Sequence, residues 1–466
     1  MFKHKSTKSM IFLTVAVIMV VAVTLTACNG NAFKPVEMPA QGEVSSNGGS
    51  AVRYGEWIYY INGYESNSSA ANTYEQIETR VGAVARIKVA DIENLFAVYD
   101  DSTFTSSSAR TKEIANRLKE AAQIVVPNFY YSANSTSQQL NGIFIFGDRL
   151  YMLTPNDELT AGGNTQTNQS VLTSFKLDGS NPQRHYVFTN NAAQVMLNEI
   201  DGKVVATYIM DKEIGNINVA DGSKIAMIEE TASAQFDFAG KAVVYLDEDG
   251  SICSLKAGQA EHKVLVENKI PEGKKESTVT YTVSSVNNGY VYYTMSDSTN
   301  SAIGNKCLYY ATDSVKDQVA FAGETSSFSS FYGYKDTVVY ADSSTVSGTT
   351  MYGMYIRNSE GDKVIVNPVQ NDNSITFNRI EGDILYYTSN NIAYKVDLSA
   401  ETPVVQAYGA SLAAASNWYM PDIVGEYVIT VGSGSVTAVK FDAETKTNSS
   451  SVILTIVADT DEDDKD

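Results

Sequence analysis

From residue 52 onward the chain alternates short apolar runs with turn residues, and one phrase keeps returning. Gly, Asp or Asn opens a run rich in Val, Ile, Tyr and Thr: GEWIYYIN (55–62), GDRLYMLT (147–154), DGKVVATYI (201–209) and GKAVVYLD (240–247). NGYVYYTM (288–295), YKDTVVYAD (334–342), EGDILYYTSN (381–390) and VGEYVITVG (424–432) continue it. β-Branched and aromatic residues after a turn signal predict a strand. A second run often follows and ends in Lys-x-Asp or a relative, as in ARIKVAD (85–91), SFKLDG (174–179), AYKVDLS (393–399) and AVKFDAE (438–444). All but the first of the intervals between phrases lie near 46 residues. Several short antiparallel strands repeating at 40–50 residues predict an all-β chain folded as a β-propeller. Tandem β-sandwiches would share the short strands but would not require the same phrase at a fixed period. Taking the phrase as the first strand of each unit gives eight blades, or seven if the N-terminal unit is incomplete.

The long first interval holds RTKEIANRLKEAAQIVVPNF (110–129), where Ile114, Leu118 and Ala122 recur at helical spacing. This predicts a helical insertion at about 104–135 between the first blades, capped by Ser107 or Ser108, stopped by Pro127, and packed against the ring. NDELTAGGNTQTNQS (156–170) reads as a long polar loop. The terminal strand SSVILTIVAD (450–459) is expected to pair with an N-terminal strand and close the ring. DTDEDDKD (459–466) is an acidic tail.

The N-terminus follows a different pattern. Lys3, Lys5 and Lys8 precede an apolar run from Met10 to about Leu25 and then small residues, which is the layout of an export signal. LTAC at Leu25–Cys28 resembles a bacterial lipobox. The resemblance implies removal of residues 1–27 and a diacylglycerol thioether on Cys28, leaving residues 28–51 as a Gly/Ser/Asn-rich tether and 52–458 as the folded body.

The full chain of 466 residues has 34 basic and 54 acidic residues and a net charge of −20. Loss of the three signal lysines takes this to −23, so the acyl chains rather than basic residues must hold the protein to an anionic membrane, and the body should stand clear of it. Such a balance also speaks against nucleic acid as a partner.

Candidate chemistry is sparse. His185 and His262 are the histidines left after processing, and neither lies in a nucleophile motif. Cys253 and Cys307 sit in apolar runs about one blade apart, so they are buried thiols or a disulfide. Glu229–Glu230 and Asp247/Asp249 are the carboxylate pairs that a hydrolase or lyase would use; they also suit turns. No nucleotide-loop, dinucleotide or zinc-ligand pattern occurs, so no cofactor or metal is expected. Tyrosine pairs (Tyr59–Tyr60, Tyr130–Tyr131, Tyr292–Tyr293, Tyr309–Tyr310, Tyr386–Tyr387) suit packing between blades, with Trp57 and Trp418 as further candidates for a sugar or protein platform.

The lipobox, the IYY-type phrases and the KLDG and KVDLS strands together resemble uncharacterised lipoproteins of clostridia and related Gram-positive bacteria with YWTD-like propeller repeats. That resemblance covers roughly residues 52–458, without a faithful YWTD tetrapeptide, and supplies no catalytic residue. The expected function is a membrane-anchored extracytoplasmic propeller that binds or scaffolds a protein or a cell-envelope glycan. The rival is an extracytoplasmic polysaccharide hydrolase or lyase using carboxylates and tyrosines.

Overall fold

Most repeats become one antiparallel sheet because the connections between their strands are short enough to fold back at once, and in blades 1 and 2 the longer connections still return the chain to the neighbouring strand. The computed structural model describes residues 36–456 with interruptions, the longest at 64–82, 127–141, 157–168, 310–315, 321–329 and 411–421. Among the described residues the strands form eight sheets, one of five strands and seven of four, each in simple sequence order. They are the blades of a β-propeller. Blade 1 spans 44–126, blade 2 144–187, blade 3 194–228 and blade 4 232–266. Blades 5 to 8 span 279–320, 330–370, 376–410 and 422–453. The first strands of neighbouring blades meet, including Ala51–Tyr54 of blade 1 with Asp422–Val424 of blade 8, so the sheets converge on an axis and the ring closes.

The repeated phrase is the hairpin into the second strand of each blade rather than its first strand. Trp57–Ile61, Arg149–Pro155, Lys203–Met210 and their successors all hold this position. Blade number is unaffected, because one phrase still marks one blade. Second strands carry the strongest signal because both faces of a blade are covered by neighbours: Trp57–Ile61 is buried at all five positions. Alternation therefore divides the described pairs Tyr59–Tyr60, Tyr292–Tyr293 and Tyr386–Tyr387 between neighbouring blades. Tyr59 donates to the Leu177 carbonyl of blade 2 at 2.9 Å, whereas Tyr60 donates to Leu454 beyond blade 8 at 2.8 Å. Tyr292 donates to Lys335 of blade 6 at 2.6 Å, and Tyr293 enters the core between blades 4 and 5. Tyr387 packs into the core of blades 6 and 7, and Tyr386 against Tyr408 beside blade 8.

The terminal strand does not close the ring by pairing with an N-terminal strand. Thr447–Ile453 pairs within blade 8, with Ser435–Asp442. Closure instead uses side chains and helices. Asn62 donates to Ile456 O at 2.8 Å and accepts from Ile456 N at 2.9 Å. The helical excursion comprises two helices, α1 (Val89–Asp100) and α2 (Ser107–Ala121), placed between the third and fourth strands of blade 1. Ser106 caps α2 by accepting from Ala109 N at 3.2 Å, one residue before the expected cap. Its last turn gives way to the strand Gln123–Val126, which completes blade 1. α1 turns Ile92, Leu95 and Phe96 inward and lies on the outer strand of blade 8. There Phe96 stacks on Tyr427 at 5.2 Å, and Tyr427 donates to Glu93 at 2.7 Å.

A short segment ahead of blade 1 crosses the next seam. Val44–Ser45 pairs with the first strand of blade 1. Asn47 exchanges two hydrogen bonds with Ile145 at the start of blade 2, while Gly48 N and Gly49 O pair with Ile143.

Candidate functional site

Strand direction sorts every connection onto one of two faces of the ring. Hairpins between second and third strands, and links between blades, lie on one face. Hairpins between first and second strands, and the turns between third and fourth, lie on the other, where the helical excursion of blade 1, between its third and fourth strands, also starts and ends. The first is the loop face and the second the turn face. Contacts agree with this division. On the loop face Asn190, in the link to blade 3, donates to Asp211 in a hairpin at 2.5 Å, and Asn268 in the link to blade 5 donates to Asp249 O at 2.9 Å. On the turn face Asn288 donates to Gly382 O at 2.9 Å, and Lys335 meets Asp383 at 3.0 Å.

Over blades 3 and 4 the loop face is acidic. Asp211, Glu229, Glu230, Glu248, Asp249 and Glu267 gather there with Lys212 and Lys269 as the described cations of these connections. Glu230 pairs with Lys212 at 3.4 Å and Lys269 with Glu267 at 3.4 Å, both between exposed side chains. Asp247 is spent on its own turn, accepting from Asp249 N and Ser251 N at 3.1 and 2.8 Å. The expected carboxylate pairs are thus on one face but in separate connections: Glu229–Glu230 on a blade link, Asp247/Asp249 in a hairpin.

The remaining candidates lie within the blades. His185 is on the outer strand of blade 2, its Nε2 2.7 Å from Ser174 Oγ, but Ser174 is fully buried and also accepts from Arg149 Nε at 2.9 Å. Burial holds the His185 imidazole below its ordinary value, opposed by a backbone hydrogen bond at Val219. His262 Nδ1 is 2.7 Å from the hydroxyl of buried Tyr245. Cys253 is a free, buried thiol in the core between blades 3 and 4, and burial pushes it up to about 12. For Cys307 and Tyr309 the backbone alone is described, in the third strand of blade 5. Trp57 is buried beneath the Arg86 guanidinium, which sits 4.0 Å from its ring and bonds Gln123 at 2.9 Å. Cys28, Tyr130–Tyr131, Tyr310, Trp418 and most of the 156–170 loop lie outside the described residues.

No family model and no curated protein matches the chain. Among solved structures it is similar to a prolyl endopeptidase at 10% identity and a TM-score of 0.33, over 67% of this chain and 48% of that one. This chain thus spans about half of that protein's length. An uncharacterized protein from Listeria monocytogenes EGD-e aligns at 7% identity and a TM-score of 0.33, over 64% of this chain and 90% of its own. TolB from Acinetobacter baumannii aligns at 12% identity and a TM-score of 0.25, over 59% and 66%.

Two features of the site escape sequence reasoning. The strand pattern gives no direction, so the assembly of acids from four connections onto one face could not be read. The other is a cleft of about 350 Å³ on blade 7, lined by Ile384, Tyr386, Lys395, Asp397, Val404 and Gln406 among others. It reaches the turn face through residues 397–404, and its lining has no sequence signature.

Proposed function

We propose that this chain is a lipid-anchored extracytoplasmic propeller that binds or scaffolds an envelope protein through its loop face. The observation that carries the reading is the set of exposed carboxylates which four separate connections of blades 3 and 4 present together. Such a face recruits a partner of opposite charge and sets its orientation and rate of encounter. A protein is favoured over a glycan because Trp57 and the described tyrosine pairs are occupied between blades, where they cannot stack on a sugar. The anchor reading is supported by the resemblance of Leu25–Cys28 to a lipobox, which suits a body held outside the cytoplasmic membrane.

In-cell photo-crosslinking tests the reading. A crosslinking residue at position 230 or 249 is expected to trap a discrete envelope protein, and Glu229→Lys with Glu230→Lys to abolish the adduct. Adducts from position 148 on the turn face, with none from 230 or 249, would reverse the assignment.

A further inference from the structure

We infer that, held clear of the bilayer by its tether, the body presents its turn face towards the membrane surface and its loop face away from it. This rests on the lipid anchor at Cys28 proposed above, and adds which surface the anchor holds towards the bilayer.

The first argument is the path of the chain. Gly55, in the first hairpin of blade 1, donates from its N–H to Glu43 O at 2.9 Å, so Glu43 lies at the turn face. The closeness at this point admits only glycine: a Cβ on Gly42 would lie 2.5 Å from the Cα of Gly55. From Glu43 the chain runs through Val44–Ser45 antiparallel to Ala51–Tyr54, towards the loop face. The residues preceding Glu43 therefore enter from the turn side. Met38 is ten residues beyond Cys28, and ten residues reach at most about 35 Å when fully extended. That reach suits the face of entry. It leaves little chain for a route around the ring to the opposite face.

The second argument is charge, and it comes from different residues. The turn-face connections of blades 3 and 4 and the strand ends beside them carry Lys203, Lys241, Lys256 and Lys263, with Lys224 drawn along its strand to pair with Glu213 at 3.8 Å. Their acids are Glu199, Asp201, Asp221, Glu261 and the buried Asp237, so opposite charges nearly balance there. On the loop face of the same two blades the acids far outnumber Lys212 and Lys269. An anionic lipid surface repels the loop face of these blades more strongly than their turn face. Exposed apolar groups occur on the turn face too: Phe238 is 51% and Val404 68% exposed. An aromatic ring beside a lysine suits the headgroup boundary. Over blades 3 and 4 the negative charge is thus concentrated on the loop face, which turns those acidic loops towards incoming partners.

The test uses the mature, lipidated protein in vesicles of phosphatidylglycerol and phosphatidylcholine carrying a headgroup acceptor dye. A donor dye is attached through a genetically encoded azide at position 148 or 221 on the turn face, or 230 or 249 on the loop face. The faces stand roughly 20 Å apart, one strand of six residues at about 3.3 Å each, which energy transfer resolves. Turn-face donors are expected to transfer more efficiently than loop-face donors, with the difference shrinking in Lys203→Glu/Lys241→Glu protein. Equal transfer from both faces, or stronger transfer from the loop face, would overturn the orientation. Mass spectrometry of the N-terminal peptide reads the anchor separately. A peptide without diacylglycerol on Cys28 overturns the anchor and the orientation with it, whereas a lipidated peptide with equal transfer overturns the orientation alone.

Discussion

Asp237 and Gly333 show how single residues hold neighbouring blades together. Asp237 is buried at the end of the first strand of blade 4; its Oδ1 accepts from Gly240 N at 2.7 Å and its Oδ2 from Gly289 N of blade 5 at 2.6 Å. Asp237→Ala strands two buried donors and should cost about 2–4 kcal/mol in urea unfolding. Gly333 meets the Tyr292 ring from blade 5 so closely that a Cβ would lie 1.8 Å from it. Gly333→Ala should therefore destabilise by about 1–3 kcal/mol, and Tyr292→Leu in the same chain should recover part of the loss. His185 supplies a pH test. Its folded value lies below the ordinary 6.5 because burial disfavours the imidazolium. The unfolded chain therefore takes up the proton first, so the contribution of His185 is full above about 6.5 and declines as pH falls below it. The urea midpoint should drop on acidification below pH 6.5, with a shallower slope in His185→Gln. An unchanged slope would remove His185 as the cause.

At the scale of elements, the helical excursion acts as a clasp. α1 belongs to blade 1 in sequence but packs on blade 8, bringing Phe96 and Glu93 to Tyr427 and Asp100 within 3.1 Å of Ser450. Phe96 is fully buried, so Phe96→Ala should cost about 3–5 kcal/mol. Hydrogen exchange should then rise first in the strands Tyr427–Gly432 and Thr447–Ile453. A uniform rise over all blades would argue against a local clasp. The amphipathic run in α2 was legible because Ile114 and Leu118 recur at helical spacing and both are buried. α1 was not, because its apolar residues are so dense (VADIENLFAVYD) that they read equally well as a strand. Its helicity depends on the blade 8 surface it covers.

For the whole molecule, closure without a shared strand makes the seam between blades 8 and 1 depend on side chains. Asn62→Ala removes both hydrogen bonds to Ile456 and should lower the thermal midpoint by several degrees, with local opening at the chain's last strand. The opposite flank of blade 1 is held by residues 47–49. Blade 1 is therefore the point at which both the segment 43–49 and the closure act. Any pull on the N-terminal segment is borne by the hydrogen bonds between residues 43–49 and blades 1 and 2.

The sequence alone determined the repeat and the alternation that sends neighbouring tyrosines to opposite sides of a strand, and it narrowed the blades to eight or seven, of which the structure describes eight. These follow from local chemistry: turn residues, β-branched runs and a period of two are legible wherever they occur. It also carried the resemblance of Leu25–Cys28 to a lipobox, whose reading depends on order along the chain. Tertiary structure decided which strand of the blade the repeated phrase occupies, since all strands of a blade obey the same local rules. It placed Cys253 and Trp57 inside blade packing, set half-buried His185 against Ser174 and exposed His262 against Tyr245, and replaced the expected strand pairing at the ends with a helical clasp. It also gathered acids distant in sequence onto one face and lysines from the same blades onto the other. No local pattern contains that separation, because it arises from strand direction around a closed ring.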